Sequence, residues 1–298
     1  MRLAAEDEEA LTPLPEWRRV LDLALRALKF PWNLKISNPE VRLRILIQGP
    51  VGTGKSSFIN SIESIFQGHM AQGALTDAIS AYSYTTTKTI PHLTACCVCS
   101  SALKVKDGKG GFLPFIINDI MGLEKGGGGA CVEDLKMVLK GHIKDGYVFN
   151  PLAPVRKGDT KYNSSPDLKD QIHCLVSMLP ANNVSLLDEY DATGVISKLR
   201  DIRKKATELR IPQVILLTKV DEACPIVDKD LKMIYRSKKI KEKVCVCSNK
   251  LGVPMNCIFP VKNYDHEIDL NDDVDMLLLS ALKNMLYFAN DYVDEQTE

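Results

Sequence analysis

The sequence has 298 residues, of which 45% are hydrophobic, and this is enough for a full core in one large domain or two. Its 38 basic and 38 acidic residues balance, which argues against a broad nucleic-acid-binding surface. No apolar run is long enough to cross a bilayer, and the acidic first nine residues lack the apolar core of a signal peptide. Nine cysteines, an odd number, indicate free thiols in a reducing compartment.

The first 40 residues are predicted to form an N-terminal extension with one helix, because apolar residues recur at roughly helical spacing in residues 15–29. Predicted elements then follow one another without a long break. Residues 41–298 are therefore predicted to form a single domain.

Residues 49–56 match the phosphate-binding pattern G-x-x-x-x-G-K-[ST] at every fixed position. A short apolar run at 41–47 predicts a strand before the motif, and apolar residues at helical spacing predict a helix after it. In this order, backbone N–H groups can point at a phosphate chain, Lys55 can reach the β- and γ-phosphates, and Ser56 can bind Mg²⁺. The alternative, a glycine-rich turn without a ligand, gives Lys55 and Ser56 no evident packing purpose. The predicted phosphate-binding residues are Gly49, Val51, Gly52, Thr53, Gly54, Lys55, Ser56 and Ser57.

Two later motifs point to guanine nucleotide rather than to phosphate alone. Asp119 and Gly122 form a D-x-x-G at the end of an apolar run; Asp119 would lie near Mg²⁺ with Ser56, and the Gly122 N–H would meet the γ-phosphate. Residues 218–221 resemble the [NT]-K-x-D motif, in which Asp221 accepts hydrogen bonds from guanine N1–H and the 2-amino group. Thr218 replaces the commoner Asn, and the Lys219 stem would lie over the base. The alternative is a surface Lys-Asp pair after a strand.

The remaining pattern predicts an α/β fold of the P-loop GTPase type. An Asp107-Gly108 turn predicts an antiparallel hairpin between strands at 93–105 and 112–118. Further strands are predicted at 171–179, 211–217 and 255–261, with helices at 186–209 and 274–292. This alternation predicts a mostly parallel sheet with helices on both faces. Thr85–Thr87 lie where a GTPase keeps its first switch, although an ordinary polar loop is an open alternative.

Two smaller features have structural interpretations. Cys96 and Cys99 have the spacing of a redox or metal site, but a strand through them would put their side chains on opposite faces. His173 lies in a predicted core strand and is expected to be a buried side chain with its hydrogen bonds satisfied.

Taken together, these stretches resemble the GTPase-like region of the interferon-induced protein 44 family. The resemblance implies a vertebrate cytoplasmic protein of the interferon-driven antiviral response, with a nucleotide-binding fold. The better-known members carry a further N-terminal domain that we do not find in this sequence. An unidentified protein partner or self-association is also possible. The segments that carry the resemblance are 45–57, 106–115, 119–123, 146–150, 165–174, 228–252 and 279–298.

The sequence thus predicts a protein that binds GTP or GDP with Mg²⁺ and hydrolyses GTP slowly if at all. Leu123 follows the D-x-x-G glycine, where many GTPases place the Gln that orients the attacking water. Val51 takes a position that Ras-like proteins keep as glycine, and it would obstruct an arginine supplied by a partner. No catalytic residue is identified. One alternative is a non-enzymatic interaction protein whose nucleotide is a structural plug or latch. An ATPase, the other alternative, rests on the P-loop alone.

Overall fold

The computed structural model describes residues 36, 38–71, 74–76, 85–87, 101–106, 111–124, 129–150, 153–184 and 194–297. Several predicted features lie outside these ranges. They are the N-terminal helix at 15–29, the Cys96-x-x-Cys99 pair, the turn at Asp107-Gly108, residues 93–100 of the second predicted strand and residues 186–193 of a predicted helix.

Within the described residues, six strands form one sheet and two further strands form a separate two-stranded sheet. The strands are β1 (Leu43–Gln48), β2 (Ala74–Thr76), β3 (Thr85–Thr87), β4 (Ser101–Lys106), β5 (Phe112–Asp119), β6 (Cys174–Pro180), β7 (Gln213–Thr218) and β8 (Ile258–Pro260). The sheet has the order β4-β5-β1-β6-β7-β8, and β2 pairs with β3. Every neighbouring pair in the sheet is parallel except β4 and β5, which are antiparallel.

The helices that accompany the sheet form two packed groups. They are α1 (Lys55–Gln67), α2 (Val132–Leu139), α3 (Val195–Glu208), α4 (Val220–Ala223), α5 (Pro225–Lys229), α6 (Lys238–Leu251) and α7 (Asp272–Thr297). Helices α1 and α7 contact each other and the strands, while α3 contacts α2, α6 and β6. All seven residues of β6 are buried, and because successive side chains of a strand point to opposite faces, both faces of the sheet are covered. The predicted fold class is confirmed.

Element boundaries differ from the predictions where local hydrogen bonds compete with the sheet. Asp167 and Asp170 form a capping box around a 3₁₀ turn at Leu168–Asp170, so β6 begins at Cys174 rather than at 171. A second 3₁₀ turn, Met255–Cys257, shortens β8 to three residues. The predicted first-switch residues Thr85–Thr87 form β3 rather than an irregular loop.

His173 precedes β6 by one residue and is fully buried. Its Nδ1 accepts a hydrogen bond from the Arg44 backbone N–H at 2.9 Å, and its Nε2 lies 2.9 Å from the Leu168 carbonyl oxygen, to which it donates. The prediction of a buried histidine with its hydrogen bonds satisfied is confirmed, but its placement within a strand was wrong.

Among the described residues, no helix combines the length and the apolar character that a membrane span requires.

Candidate functional site

The loop between β1 and α1 is built around three glycines with positive φ. Gly52 and Gly54 have φ values of 75° and 85°, a conformation that side chains with a Cβ rarely adopt. A Cβ at Gly54 would also lie 2.7 Å from Asn263 Nδ2, and one at Gly49 would collide with the Met178 carbonyl oxygen. Gly54 is the N-cap of α1 and supplies no side-chain cap, so the first-turn N–H groups remain available to an anion.

Lys55 lies inside this loop and is only 6% exposed. Its Nζ donates to the carbonyl oxygens of Gly49 at 3.2 Å and Pro50 at 3.0 Å. Burial lowers the pKa of Lys55, and the nearby charge of Asp119 acts in the opposite direction. The ammonium is therefore held at the centre of the loop, where the phosphate oxygens of a ligand would be stronger partners than two neutral carbonyls.

Ser56 and Asp119, the predicted metal ligands, are brought together although they lie on different elements. Asp119 ends β5 and is paired in register with Ile47 of β1, next to the loop. The Ser56 hydroxyl donates to Asp119 Oδ2 at 3.2 Å, and both residues are buried. Burial raises the pKa of Asp119 to about 6, against the effects of Lys55 and the Ser56 hydrogen bond.

The same pair fits a hard divalent cation. Asp119 Oδ1 is buried and makes no hydrogen bond with the described residues, which is costly for a carboxylate oxygen. A cation such as Mg²⁺ prefers oxygen ligands and commonly uses one or two carboxylates beside the phosphates of its substrate. The hydroxyl of Ser56 and the free oxygen of Asp119 are therefore suited to hold Mg²⁺.

Leu123 is hydrogen-bonded directly to the phosphate loop. The Leu123 N–H donates to the Gly49 carbonyl oxygen at 2.9 Å, and Leu123 forms backbone bridges with Pro50 and Gly129. Its side chain is 1% exposed, so it lies in the core and does not face a ligand. A Cβ at Gly122 would lie 2.8 Å from Val51 Cγ2, so the glycine of D-x-x-G is required by this contact.

Val51 itself remains at the surface of the loop, with 41% of its area exposed. Val51 lies over Gly122, and the obstruction of an entering arginine stays a prediction. Gly52 is exposed and Ser57 is partly exposed in the first turn of α1. Their roles in phosphate binding stay predictions.

Thr218 connects the phosphate loop with the end of β7. Its hydroxyl, fully buried, donates to the Thr53 carbonyl oxygen at 2.8 Å and lies 3.3 Å from that of Leu179. The Thr53 hydroxyl in turn donates to the Pro50 carbonyl oxygen at 2.9 Å. Both threonine side chains are thus engaged inside the protein, and they fix the shape of the loop rather than face a ligand.

Lys219 and Asp221 stand where β7 passes into α4. Lys219 is in the left-handed conformation, with φ of 57°, and its Nζ lies 3.1 Å from Glu222 Oε1. Asp221 is in the first turn of α4, with 22% of its side chain exposed. The left-handed residue turns the chain sharply, so Asp221 remains beside the end of the sheet where the phosphate loop also lies.

Two residues after β8 belong to the site and were missed by the sequence predictions. Asn263 Nδ2 donates to the Gly54 carbonyl oxygen at 2.9 Å. Lys262 Nζ lies 3.9 Å from Asp221 Oδ2 and donates to Glu267 Oε1 at 2.5 Å. Their place in the sequence could have indicated this role, because the loop that follows β8 must lie beside the loop that follows its parallel neighbour β7.

Among known sequences, the chain is 35% identical to interferon-induced protein 44 of Pan troglodytes and of Homo sapiens, over 294 residues in each case. These matches cover 97% of the chain and 60% of each relative. Human interferon-induced protein 44-like is 34% identical over 255 residues, which cover 85% of the chain and 53% of that relative. The chain therefore spans about 60% of the length of the first curated relatives it matches. The resemblance predicted from the motifs is confirmed.

Solved structures with a similar course of the chain include Toc33 from Arabidopsis thaliana in complex with GDP and Mg²⁺. That match has 12% identity and a TM-score of 0.46, and it covers 93% of this chain and 97% of the other. A probable GTP-binding protein engB matches with 12% identity and a TM-score of 0.41 over 83% of this chain and 98% of the other. No family model matches the sequence.

Proposed function

We propose that this chain binds GTP or GDP together with Mg²⁺. The similarity to interferon-induced protein 44 extends over 97% of this chain. The hydrogen bond from Thr218 to the Thr53 carbonyl carries the proposal, because it joins the predicted base-binding motif to the predicted phosphate loop. Asn263, in the loop after β8, makes a further connection to the phosphate loop at Gly54. Loops at the carboxyl ends of neighbouring parallel strands are where α/β sheets bind ligands.

At the phosphate end, Lys55 and the N–H groups at the start of α1 would bind the phosphate oxygens. Ser56 and Asp119 would hold Mg²⁺, which neutralises phosphate charge when it is bound. Asp119 is buried beside Lys55, so a single carboxylate balances the ammonium before any ligand enters.

At the base end, Asp221 supports guanine over adenine. An ionised carboxylate only accepts hydrogen bonds, and guanine offers it N1–H and the 2-amino group. Adenine offers neither donor at these positions, so ATP would make neither of these hydrogen bonds to the carboxylate. This reasoning disfavours the ATPase alternative.

We propose that GTP hydrolysis is slow if it occurs. Leu123 is buried, so it cannot orient a water molecule, and exposed Val51 covers Gly122. A non-enzymatic protein that keeps its nucleotide as a latch is the second candidate, and the backbone connection of Leu123 to Gly49 favours it because this segment is already closed on the loop.

The names of the relatives support the proposal that the protein is induced by interferon. We further propose, from the family resemblance of the motifs, a role in antiviral defence, a cytoplasmic location and a protein partner or self-association. We also propose that residues 41–298 form one nucleotide-binding domain preceded by an extension at 1–40.

The experiment is to extract and identify the nucleotide that the purified protein retains, and then to measure phosphate release from added GTP. Retained GDP or GTP, with affinity for GTP well above that for ATP, is expected. Phosphate release that rises with protein concentration would favour an enzyme completed by self-association, and retained GDP without turnover would favour the latch. Equal affinities for ATP and GTP would refute the guanine assignment.

A further inference from the structure

Lys198 connects α3 with residues 119–124, the segment that carries the D-x-x-G motif and that we call the second switch. Its Nζ donates to the Glu124 carbonyl oxygen at 2.6 Å, and both residues are partly buried. A hydrogen bond from an ammonium is charge-assisted, and it is stronger than one between neutral groups. The last residue of the second switch is therefore held by a side chain that lies 74 residues further along the chain.

Helix α3 is a fixed support for this contact. Arg200 Nε donates to the Lys250 carbonyl oxygen at 2.7 Å, and the Arg203 guanidinium donates to the carbonyl oxygens of Leu251 and Gly252, where α6 ends. The apolar side of α3 is buried in the core. Because the helix is bound on its polar and its apolar sides, Lys198 restrains the second switch rather than moving with it.

The second switch is also bound to the phosphate loop. The Leu123 N–H donates to the Gly49 carbonyl oxygen at 2.9 Å. Gly129 packs so closely that a Cβ there would lie 2.5 Å from the Gly122 carbonyl oxygen and 2.8 Å from the Glu124 nitrogen. Gly122 thus lies between the end of β5 and these contacts, so its backbone is restrained on both sides along the chain.

These contacts bear on the γ-phosphate, which distinguishes GTP from GDP. The inference rests on the proposed function, in which the D-x-x-G motif predicts that the Gly122 N–H binds the γ-phosphate. A backbone segment that is already ordered loses less conformational entropy when it binds a ligand. We propose that Lys198 is a positioning residue that keeps the second switch ordered for the γ-phosphate and so strengthens the binding of GTP relative to GDP.

The two nucleotides should therefore respond differently to the loss of Lys198. Without the hydrogen bond to Glu124, GTP would have to order the second switch itself, which lowers its affinity. GDP has no γ-phosphate, so its affinity should not depend on the order of this segment. A merely structural role of Lys198 would instead weaken the binding of both nucleotides alike.

The test measures the affinities for GTP and GDP by calorimetry with Mg²⁺ present, for the nucleotide-free wild type, Lys198→Met, Lys198→Arg and Lys204→Met. Methionine has nearly the helix propensity of lysine, and Lys204 is exposed on the same helix, so Lys204→Met is the matched control. In Lys198→Met we expect the ratio of GTP to GDP affinity to fall by about 10-fold, the scale of a hydrogen bond to a charged group, with GDP affinity unchanged. Lys204→Met should keep the wild-type ratio, and Lys198→Arg, which retains a charged donor, should keep most of it.

Hydrogen exchange in the free protein provides a second measurement that needs no nucleotide. The Leu123 N–H should exchange faster in Lys198→Met than in the wild type, because the second switch is then held only by the phosphate loop. Lys204→Met should exchange at the wild-type rate. Equal rates in Lys198→Met and the wild type would overturn the inference.

The outcomes separate this inference from the proposed function. A wild-type protein that binds neither nucleotide would contradict the proposed function itself. Wild-type binding with an unchanged or increased ratio in Lys198→Met, or with an equal loss of both affinities, would overturn only the role of Lys198. If Lys198→Met does not fold, Lys198→Gln keeps an uncharged N–H donor and should show an intermediate ratio. An unchanged ratio in that variant would also overturn the inference.

Discussion

Replacing Lys55 by alanine tests the phosphate end of the site. In the free protein Lys55 is 6% exposed and its ammonium donates to the Gly49 and Pro50 carbonyl oxygens, so the side chain is desolvated before a ligand arrives. Removing a charge-assisted hydrogen bond to a ligand in such an environment costs about 2–4 kcal/mol. Lys55→Ala should therefore weaken GTP binding by roughly 30- to 900-fold.

Lys55→Ala should change the stability of the free protein less than it changes the affinity for GTP. Removal of Lys55 eliminates a buried charge, which is favourable, but it also takes a positive neighbour away from Asp119, which is unfavourable. Because these effects oppose each other, we expect the midpoint of unfolding to change less than the affinity does.

The assay is titration calorimetry of nucleotide-free protein with GTP, accompanied by thermal unfolding. Lys239→Ala, an exposed lysine changed in the same way, is the matched control and should bind like the wild type. Equal GTP affinities for Lys55→Ala and the wild type would remove the loop from the proposed mechanism. A loss of affinity that only accompanies unfolding would refute the specific role of the ammonium.

Three further changes probe the base, the hydrolysis step and the core. Asp221→Asn should lose GTP affinity and gain affinity for xanthosine triphosphate in competition binding, because xanthine offers an acceptor that the Asn amide can meet. Single-turnover GTP hydrolysis by the wild type should be on the order of 10⁻⁴ s⁻¹ or slower. Leu123→Gln should not accelerate it, because the side chain at this position is buried. A buried amide there should lower the free energy of unfolding by about 1–3 kcal/mol. Burial lowers the pKa of His173 to about 4, so the unfolded chain takes up a proton at higher pH than the folded protein does. The free energy of unfolding should therefore fall by about 3 kcal/mol as the pH falls from 6.5 to 4. His173→Gln should lack this component when denaturation is measured as a function of pH.

Each expectation has a contrary result. Asp221→Asn that keeps its GTP affinity would show that this carboxylate does not bind the base. Rapid wild-type hydrolysis, independent of protein concentration, would mean that another residue replaces the missing Gln; alanine substitution of Thr85–Thr87 would then be the first test. Parallel pH profiles of stability for the wild type and His173→Gln would show that this imidazole titrates equally in the folded and unfolded chains.

Short-range motifs were predictable because their geometry depends on neighbouring residues. The phosphate loop needs glycines at particular φ values and a helix that begins directly after them, and residues 49–56 alone meet both requirements. The alternation of predicted strands and helices likewise predicted the mostly parallel sheet, and the Asp107-Gly108 turn signal predicted its antiparallel pair. Strand ends were less predictable, since the turns at Leu168–Asp170 and Met255–Cys257 use the same residues for other hydrogen bonds.

Several roles were decided only by the packing of distant segments. Thr218 and Thr53 are 165 residues apart, and Asn263 and Gly54 are 209 residues apart, so no local pattern could pair them. Their contacts arise because parallel strands place their following loops at one edge of the sheet.

Leu123 shows the same division between sequence and structure. The sequence determined that the position lacks the Gln side chain, whereas the fold decided that the leucine enters the core while its N–H binds Gly49. The chemistry available at this site was thus determined by residue types along the chain. The direction of each group, and the pairing of Lys262 with Asp221, were decided by the tertiary structure, because hydrogen bonds and ion pairs depend on distances in space.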